Sequence, residues 1–197
     1  MDRTQHKETE RSLRRANFLE RHVPKDTIGA EIGVFWAHFS ERIMEKFSPK
    51  MLYLVDPWDK LYGDAYPNWG DYTLDGTLKT ETAKAAALDL EKRYPGRVEV
   101  VVDYSTSFLG NLPDASLDWV YLDAQHAYEP VLADLNAILP KLKPEGIIFG
   151  DDYYLNPKAK HKGVLRAVNE FAYKSGRKLV LEDGYQYILL PKNAERP

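Results

Sequence analysis

The chain has 197 residues, 44% hydrophobic and 29% charged, with a formal net charge of −3 and no cysteine. This length and composition predict one globular domain with a sizeable core. The negative net charge argues against a nucleic-acid partner, and the lack of cysteine excludes a disulfide framework, a thiolate metal site and a cysteine nucleophile. No apolar run approaches the ~18 residues of a membrane span, and the polar first residues do not resemble a secretory signal. We therefore expect a cytoplasmic protein with no membrane partner.

The first predicted element is a helix from about Glu8 to His22, within an N-terminal helical segment of residues 1–24. Such a helix could cap a sheet, form a homodimer contact or close over a ligand, and the sequence leaves these three alternatives open. Its basic residues are expected to form a solvated face; they are Arg11, Arg14 and Arg15.

A strand, a tight glycine turn and a helix come next. The strand covers Thr27 to Ile32, and Gly33 opens the turn. This arrangement presents a helix N-terminus to a cofactor. Gly33 is the single glycine of the turn, so the G-x-G-x-x-G pattern of dinucleotide-binding proteins is incomplete, and a Walker A motif is missing too. Both absences weaken the interpretation as a nicotinamide dehydrogenase.

Two further strands end on polar residues. The second strand, Met51 to Val55, ends on Asp56, and a carboxylate in this position typically accepts ribose hydroxyls. The alternative is a simple Asp-Pro turn. After an alanine-rich helix, the third strand, Arg97 to Val101, leads to Asp103 and Ser105, which are placed to meet a base or a ribose.

The segment 57–79 differs in character from its surroundings. It carries aromatic residues among Gly, Asp and Pro, namely Tyr62, Tyr66, Trp69 and Tyr72. Because it is too long and irregular for an ordinary connection, we predict a loop or lid near the active site. Its rings would suit the apolar face of a sugar or an aromatic acceptor. The alternative is a loop that packs on its own rings.

A strand, a helix and a second strand form the central unit. The first strand, Trp119 to Leu122, ends on Asp123, and the second, Gly146 to Gly150, ends on Asp151 and Asp152. Such a unit is parallel, so all three carboxylates are expected at the same, ligand-binding edge of the sheet. Their mutual repulsion predicts a hard divalent cation, Mg²⁺, among them. The alternative is that they cap strands and accept loop N–H groups.

The last elements are a helix, Gly163 to Lys174, and two strands, Lys178 to Glu182 and Tyr185 to Leu190, joined by a hairpin turn at Asp183-Gly184. The whole pattern predicts an α/β fold. It is a Rossmann-like, doubly wound, seven-stranded sheet, mostly parallel, whose antiparallel last strand comes from the hairpin of strands six and seven.

Four segments in this order resemble class I S-adenosylmethionine-dependent methyltransferases of the divalent-metal O-methyltransferase type. They are AEIGV (30–34), LVDPW (54–58), LDWVYLDAQHAYEPVLADL (117–135) and GDDY (150–153). The similarity runs from about Thr27 to Leu190 and implies a single methyltransferase domain over residues 1–197. Paired aspartates followed by tyrosine are closer to macrolide-sugar O-methyltransferases than to catechol O-methyltransferase, which has asparagine second.

The resemblance implies two binding sites. The cofactor-binding residues for S-adenosylmethionine would be Glu31, Gly33, Phe35, Ser40, Asp56, Asp103, Ser105 and Asp123. Within this set, Glu31 and Gly33 would meet the methionine moiety, Asp56 the ribose, and Ser105 the adenine. The ligands of Mg²⁺ or another divalent cation would be Asp123, Asp151 and Asp152.

The chain departs from the resembled family in two places. Ala37 stands where a glycine is common, and Gln125 stands where the sugar enzymes have an acidic residue implicated as base. His126 lies three residues after Asp123, where the catechol enzyme keeps its catalytic lysine. Because imidazole titrates near neutrality, we expect His126 to be the catalytic general base.

These expectations combine into an S-adenosylmethionine-dependent and Mg²⁺-dependent O-methyltransferase for a small hydroxylated acceptor, a sugar or other vicinal diol. A metal-independent small-molecule methyltransferase is the nearest alternative. Two alternatives come from other classes: a nicotinamide-nucleotide-binding oxidoreductase and a catalytically silent nucleotide-binding module. Equilibrium binding of S-adenosylhomocysteine or NAD separates these classes.

Overall fold

The computed structural model describes residues 3–156, 158–159, 161–182 and 185–194. These residues form a seven-stranded sheet with helices on both faces. The strands are β1 (Ile28–Ile32), β2 (Met51–Val55), β3 (Val98–Val101), β4 (Leu117–Leu122), β5 (Leu142–Gly150), β6 (Lys178–Glu182) and β7 (Gln186–Leu190). The helices are α1 (Arg3–Glu20), α2 (His38–Phe47), α3 (Asp59–Tyr62), α4 (Thr80–Arg93), α5 (Ser105–Asn111), α6 (Tyr128–Ile138) and α7 (Lys162–Ser175).

The strand order is β3-β2-β1-β4-β5-β7-β6. The pairs among the first five strands are parallel, whereas β7 is antiparallel to both β5 and β6. The prediction of a doubly wound, seven-stranded sheet with an antiparallel last strand is therefore confirmed. The turn predicted at Asp183-Gly184 lies outside the described residues.

Apolar side chains cover both faces of the sheet, as expected for parallel strands buried between helices. One core forms where α1, α2 and α4 pack on the sheet and includes Leu19, Ile43 and Leu90. The other lies beneath α5, α6 and α7 and includes Leu135 and Val168. The described helices contain no candidate for a membrane span, since each is too short or too polar to cross a bilayer.

The register of the sheet brings the ends of four strands to one edge. Ile32, the last residue of β1, pairs with Val55 of β2 and with Leu122 of β4. Leu122 in turn pairs with Gly150 of β5. The residues that follow these strands therefore begin side by side, as the sequence predicts for the acidic residues of the central unit.

Helix α1 packs on α2, so one of its faces is buried. Ala16 and Leu19 are fully buried there, and Arg15 is only 4% exposed. The prediction of a solvated basic face is therefore wrong for Arg15, whose guanidinium reaches the edge of the sheet. Arg11 is also drawn inward, with its side chain 34% exposed.

Candidate active site

A cavity of about 940 Å³ opens at the carboxyl edge of the sheet. All the residues predicted for the cofactor, the metal and the catalytic base line it, with the exception of Ser40. Helix α1 and the segment between β2 and α4 add walls that the sheet alone does not provide. Arg15 comes from the first of these walls and Tyr72 from the second. The predicted site residues thus surround one space.

The turn between β1 and α2 holds the strand ends together. Gly33 has φ +90°, and a Cβ atom there would lie 2.1 Å from the backbone oxygen of Asp123. Its N–H donates to the carbonyl of Val55 over 2.9 Å. Both the left-handed conformation and the close approach therefore require glycine. Ala37, which stands where the resembled family often has glycine, also adopts a positive φ of 57°.

Glu31, in β1, is buried at the bottom of the cavity with 2% exposure. The hydroxyl of Ser40 donates to its Oε2 atom over 2.5 Å. Burial raises the pKa of Glu31 to about 8, against the lowering effect of this hydrogen bond. Ser40 therefore does not line the cavity itself. It donates to a carboxyl group that does, and that group can change its charge near neutral pH.

Asp56 organises the loops beside it. Its Oδ2 atom accepts the N–H groups of Val34 (3.0 Å) and Phe35 (2.9 Å), and its Oδ1 atom accepts that of Trp58 (2.9 Å). Burial raises the pKa of Asp56, and the three hydrogen bonds oppose that rise. The carboxylate lines the cavity and also fixes the shape of the Gly33 turn. The ribose contact implied by the resemblance stays a prediction.

The rim beyond β3 contains Asp103 and Ser105. Asp103 accepts hydrogen bonds from Ser107 (2.7 Å) and Lys60 (3.1 Å), which lower its pKa. The hydroxyl of Ser105 donates to Asp134 of α6 over 2.5 Å. Burial raises the pKa of Asp134 to about 6. The sequence interpretation missed Asp134, which lines the cavity from the next helix along the chain.

The aromatic residues of the segment 57–79 line the cavity and also pack on one another. Phe35 stacks on Tyr72 with ring centroids 4.4 Å apart and an interplanar angle of 19°. Tyr62 contacts Tyr66 at 4.9 Å and Trp69 at 5.5 Å. The rings thus form a wall of the cavity, and mutual contacts hold that wall in place. A lid that packs on a sugar or an aromatic acceptor stays a prediction.

Asp123 and Asp151 share the guanidinium of Arg15. Nη2 of Arg15 lies 2.7 Å from Oδ2 of Asp123 and also contacts Oδ2 of Asp151. The Nε–H group of Arg15 donates to the same Oδ2 atom of Asp151 over 2.9 Å. Arg11 donates to the same oxygen of Asp151 over 3.0 Å. Burial raises the pKa of Asp123, but the charge of Arg15 and the nearby imidazole of His126 hold it below the usual value.

Asp152 turns toward two histidines. It has a positive φ of 62°, and its Oδ2 atom lies 2.7 Å from Nε2 of His126. Burial lowers the pKa of His126, but the nearby carboxylates of Asp123 and Asp152 raise it to about 9. The ring of His161 lies 4.2 Å from that of His126. Gly163 lets this segment approach, because a Cβ there would lie 2.4 Å from the carbonyl oxygen of His126.

The arrangement of charges decides how well a metal fits. Arg15 lies between Asp123 and Asp151, so the three predicted carboxylates do not fit as shared ligands of one Mg²⁺ ion. In the described part of the chain, the potential ligand atoms found within 4.8 Å of one another belong to His126, Asp152 and His161. Two imidazoles suit Zn²⁺, Cu²⁺ or Ni²⁺ better than Mg²⁺. The residues present therefore do not fit the magnesium site that the resemblance implies, and no step proposed below runs through a metal.

The strand order, with its antiparallel seventh strand, is that of the Rossmann-like methyltransferases. The cavity lies outside the carboxyl ends of the strands, where open α/β sheets bind ligands. The model of a family described as a methyltransferase domain matches residues 27–153, more than half of the 197-residue chain. The chain belongs to this methyltransferase family.

Solved structures share the fold at low sequence identity. A Corynebacterium glutamicum protein aligns over 100% of this chain and 92% of its own, with a TM-score of 0.65 and 14% identity. The Burkholderia thailandensis 1,6-didemethyltoxoflavin-N1-methyltransferase, with S-adenosylhomocysteine bound, aligns over 93% and 76% with a TM-score of 0.60 and 13% identity. A SAM-dependent methyltransferase from Aquifex aeolicus aligns over 92% of this chain and 87% of its own, with a TM-score of 0.54 and 14% identity. A search of curated proteins found no match.

Proposed function

We propose that the protein is an S-adenosylmethionine-dependent O-methyltransferase that acts on a hydroxyl of a small acceptor, a sugar or other vicinal diol. Membership of a methyltransferase family supports methyl transfer. The cofactor is supported by the S-adenosylhomocysteine bound in the Burkholderia neighbour. The choice of oxygen rests on one observation, the pairing of His126 with Asp152 at 2.7 Å in the cavity wall.

The residues of the cavity fit the proposed cofactor. When bound, S-adenosylmethionine supplies a methyl group activated by its sulfonium centre. Glu31 and Asp56 offer carboxylates for the cationic and hydroxyl groups of such a ligand, and Ser105 with Asp134 offers polar atoms near the rim. The aromatic ring of Phe35 provides a flat apolar surface beside them. These residues would hold the cofactor, and its contacts with each of them are proposals.

His126 is the proposed general base. An alcohol is a poor nucleophile until its proton leaves, and the imidazole of His126 would accept that proton. The carboxylates of Asp152 and Asp123 lie 2.7 Å and 3.6 Å from Nε2. They fix the ring and stabilise the imidazolium that forms. Because they also raise the pKa of His126 to about 9, its basic form becomes more abundant as the pH rises toward 9.

Two features of the cavity wall would suit a hydroxylated substrate: aromatic rings and a buried amide oxygen. Tyr62 and Trp69 line the cavity, and aromatic rings pack well on the apolar face of a sugar. Gln186, at the start of β7, is buried, and its Oε1 atom has no hydrogen-bond partner among the described residues. A buried acceptor without a partner is unfavourable, so a substrate hydroxyl that donates to it would be favoured.

Equilibrium binding and an acceptor screen test this proposal. The full chain should bind S-adenosylhomocysteine in calorimetry and should not bind NAD. Labelled S-adenosylmethionine should then transfer its methyl group to sugars, catechols or other vicinal diols, and not to matched compounds in which amines replace the hydroxyls. Failure to bind S-adenosylhomocysteine would contradict the cofactor. Labelling of the amines alone would contradict the choice of oxygen.

The role of His126 has its own test. His126→Ala should lower kcat by roughly 10²-fold, while affinity for S-adenosylhomocysteine stays the same. The wild-type rate should increase from pH 7 to pH 9, and the variant should lose this dependence. His22→Ala is the matched control, because His22 packs against Phe18 and Phe149 and does not line the cavity. An unchanged pH profile in His126→Ala would remove His126 as the base.

A further inference from the structure

The guanidinium of Arg15 is built into the acidic edge of the sheet. It contacts Oδ2 of both Asp123 and Asp151 through one nitrogen, Nη2. The rings of Phe39 and Tyr121 lie 5.8 Å and 5.7 Å from its central carbon. With 4% exposure, the side chain has little contact with water. Ion pairs and packing against the two rings therefore both fix the position of the guanidinium.

The positive charges balance the buried negative ones. Asp123 and Asp151 follow neighbouring strands, where two carboxylates without a cation would repel each other. Arg15 serves both, and Arg11 adds a second positive charge to Asp151 from the more exposed side. Asp152 is served separately by His126. Each of the three aspartates thus has a cationic side chain, and the pair Asp123–Asp151 is neutralised from α1.

From this geometry we infer that Arg15 is the resident cation of the Asp123–Asp151 pair, and that this pair does not bind Mg²⁺. Arg15 holds the place that the resemblance assigns to a divalent metal. The consequence for turnover, that methyl transfer needs no added Mg²⁺, rests on the proposed function. The inference that the pair does not bind Mg²⁺ is independent of the proposed function. Arg15 is thus a positioning residue that orients Asp123 next to His126.

The chemistry of the two cations supports this assignment. A guanidinium remains charged at every physiological pH and meets carboxylates with planar N–H donors. Mg²⁺ requires six oxygen ligands at 2.0–2.1 Å in near-octahedral geometry. Nη2 of Arg15 already lies between the Oδ2 atoms of Asp123 and Asp151, so an Mg²⁺ ion shared by those two atoms would have to displace it. Arg15 would have to leave, and it lies in a helix whose neighbouring residues Ala16 and Leu19 are fully buried.

Binding of Mn²⁺, a paramagnetic substitute for Mg²⁺, tests the inference on the full chain. Electron paramagnetic resonance would measure free Mn²⁺ with the wild type, Asp123→Asn, Arg15→Met and the double variant. We expect Asp123→Asn to leave Mn²⁺ binding by the wild-type chain unchanged. Arg15→Met should gain a site that is tighter by about tenfold or more, equivalent to about 1.4 kcal/mol, and that the added Asp123→Asn removes. Arg42→Met, at a surface pair with Glu45, should gain nothing.

The comparison with Asp123→Asn separates this pair from the group of His126, Asp152 and His161. Any Mn²⁺ held by that group persists when Asp123 becomes asparagine. Mn²⁺ binding by the wild type that Asp123→Asn abolishes would overturn the inference. So would a folded Arg15→Met chain that gains no site. If Arg15→Met does not fold, the wild type and Asp123→Asn decide the question alone, and Arg15→Lys should bind no more Mn²⁺ than the wild type does.

Calorimetry with S-adenosylhomocysteine in the presence of a chelator distinguishes the two proposals. If the wild type fails to bind it, the proposed function fails and the Mn²⁺ result still stands. If it binds and the Mn²⁺ result is contrary, only the assignment of Arg15 fails. Once an acceptor is known, turnover that is unchanged by chelator is the expected result, and turnover restored only by Mg²⁺ would contradict it.

Discussion

The two halves of the cavity satisfy their buried carboxylates in different ways. In the half near β1 and β2, local groups do so: Asp56 accepts three backbone N–H groups, and Glu31 accepts the hydroxyl of Ser40, nine residues away. In the half near β4 and β5, side-chain cations do so, and Arg15 is separated from Asp151 by 136 residues. The first half is built by its own loops, and the second half depends on a distant helix.

This difference has consequences for what each half can do. Carboxyl groups held by neutral donors in a buried place keep raised pKa values, as at Glu31, and can respond to a positively charged ligand. Carboxylates held by guanidinium groups remain ionised, as at Asp123. The half near β1 is thus suited to a cofactor that brings a positive charge, and the half near β4 to a fixed arrangement around His126.

Removing Arg15 should have the largest effect on the distant half. Arg15→Met leaves buried carboxylates without their cation, and breaking such a pair costs about 3–5 kcal/mol of unfolding free energy. Arg42→Met, the control at an exposed pair, should cost about 0–1 kcal/mol. Urea denaturation of the three proteins measures both values. Equal losses in the two variants would mean that α1 does not depend on this ion pair.

Gly33→Ala tests the point where the two halves touch. A Cβ atom there would meet the backbone oxygen of Asp123 at 2.1 Å, and overpacking of this kind costs about 1–3 kcal/mol in addition to the strain of the positive φ. Gly96→Ala is the matched control, since Gly96 also has a positive φ, +72°, and has open space around it. The two unfolding free energies should differ by the overpacking cost alone. A similar loss in both would show that the close approach is unimportant.

Glu31→Gln addresses the half near β1 through pH. The pKa of Glu31 rises from 4.5 to about 8 on folding, so between these values the folded protein keeps a proton that the unfolded chain has lost. Stability should therefore fall as the pH rises through this window, by about 1.4 kcal/mol per pH unit from this group. Urea denaturation at several pH values should show a shallower fall in Glu31→Gln. An unchanged slope would mean that Glu31 titrates normally.

Ser105→Ala should give the smallest effect. It removes the donor to Asp134, and a hydrogen bond of this kind contributes about 0.5–1.5 kcal/mol. We expect a modest loss of stability and a weaker affinity for S-adenosylhomocysteine. Ser116→Ala is the control, because Ser116 donates to the carbonyl of Pro113 on the surface. A weaker affinity in the control as well would point to a general loss of folding.

The sequence predicted the features of the fold that depend on local pattern. Apolar runs that end on acids located β1, β2, β4 and β5, and the register of the sheet then brought Asp56, Asp123 and Asp151 to one edge. The predicted residues near β1 and β2 line one cavity, apart from Ser40, because the ends of the strands that carry them meet at one edge. Their contacts with a cofactor stay a proposal. The short helix α5, from Ser105 to Asn111, was missed because seven residues give too little periodicity to recognise.

Partners from distant parts of the chain could not be predicted in this way. The charge of Arg15 looked like that of any basic helix face, and only its position next to Ala16 and Leu19, on the side that packs against α2, marks it as buried. Asp134 and Gln186 likewise lie in an ordinary helix and an ordinary strand by pattern. His161 reaches His126 only because Gly163 permits close packing of α7. A sequence pattern records spacing along the chain, and these contacts depend on tertiary packing.

The attachment of α1 also sets an order on assembly. Arg15 and Arg11 of α1 pair with Asp151, which lies 136 and 140 positions further along the chain. The loop that these ion pairs close therefore contains most of the molecule. Closing so long a loop is entropically unfavourable until β4 and β5 have paired and fixed both carboxylates. The amide hydrogens of α1 should therefore become protected from exchange late in refolding, after those of the central strands.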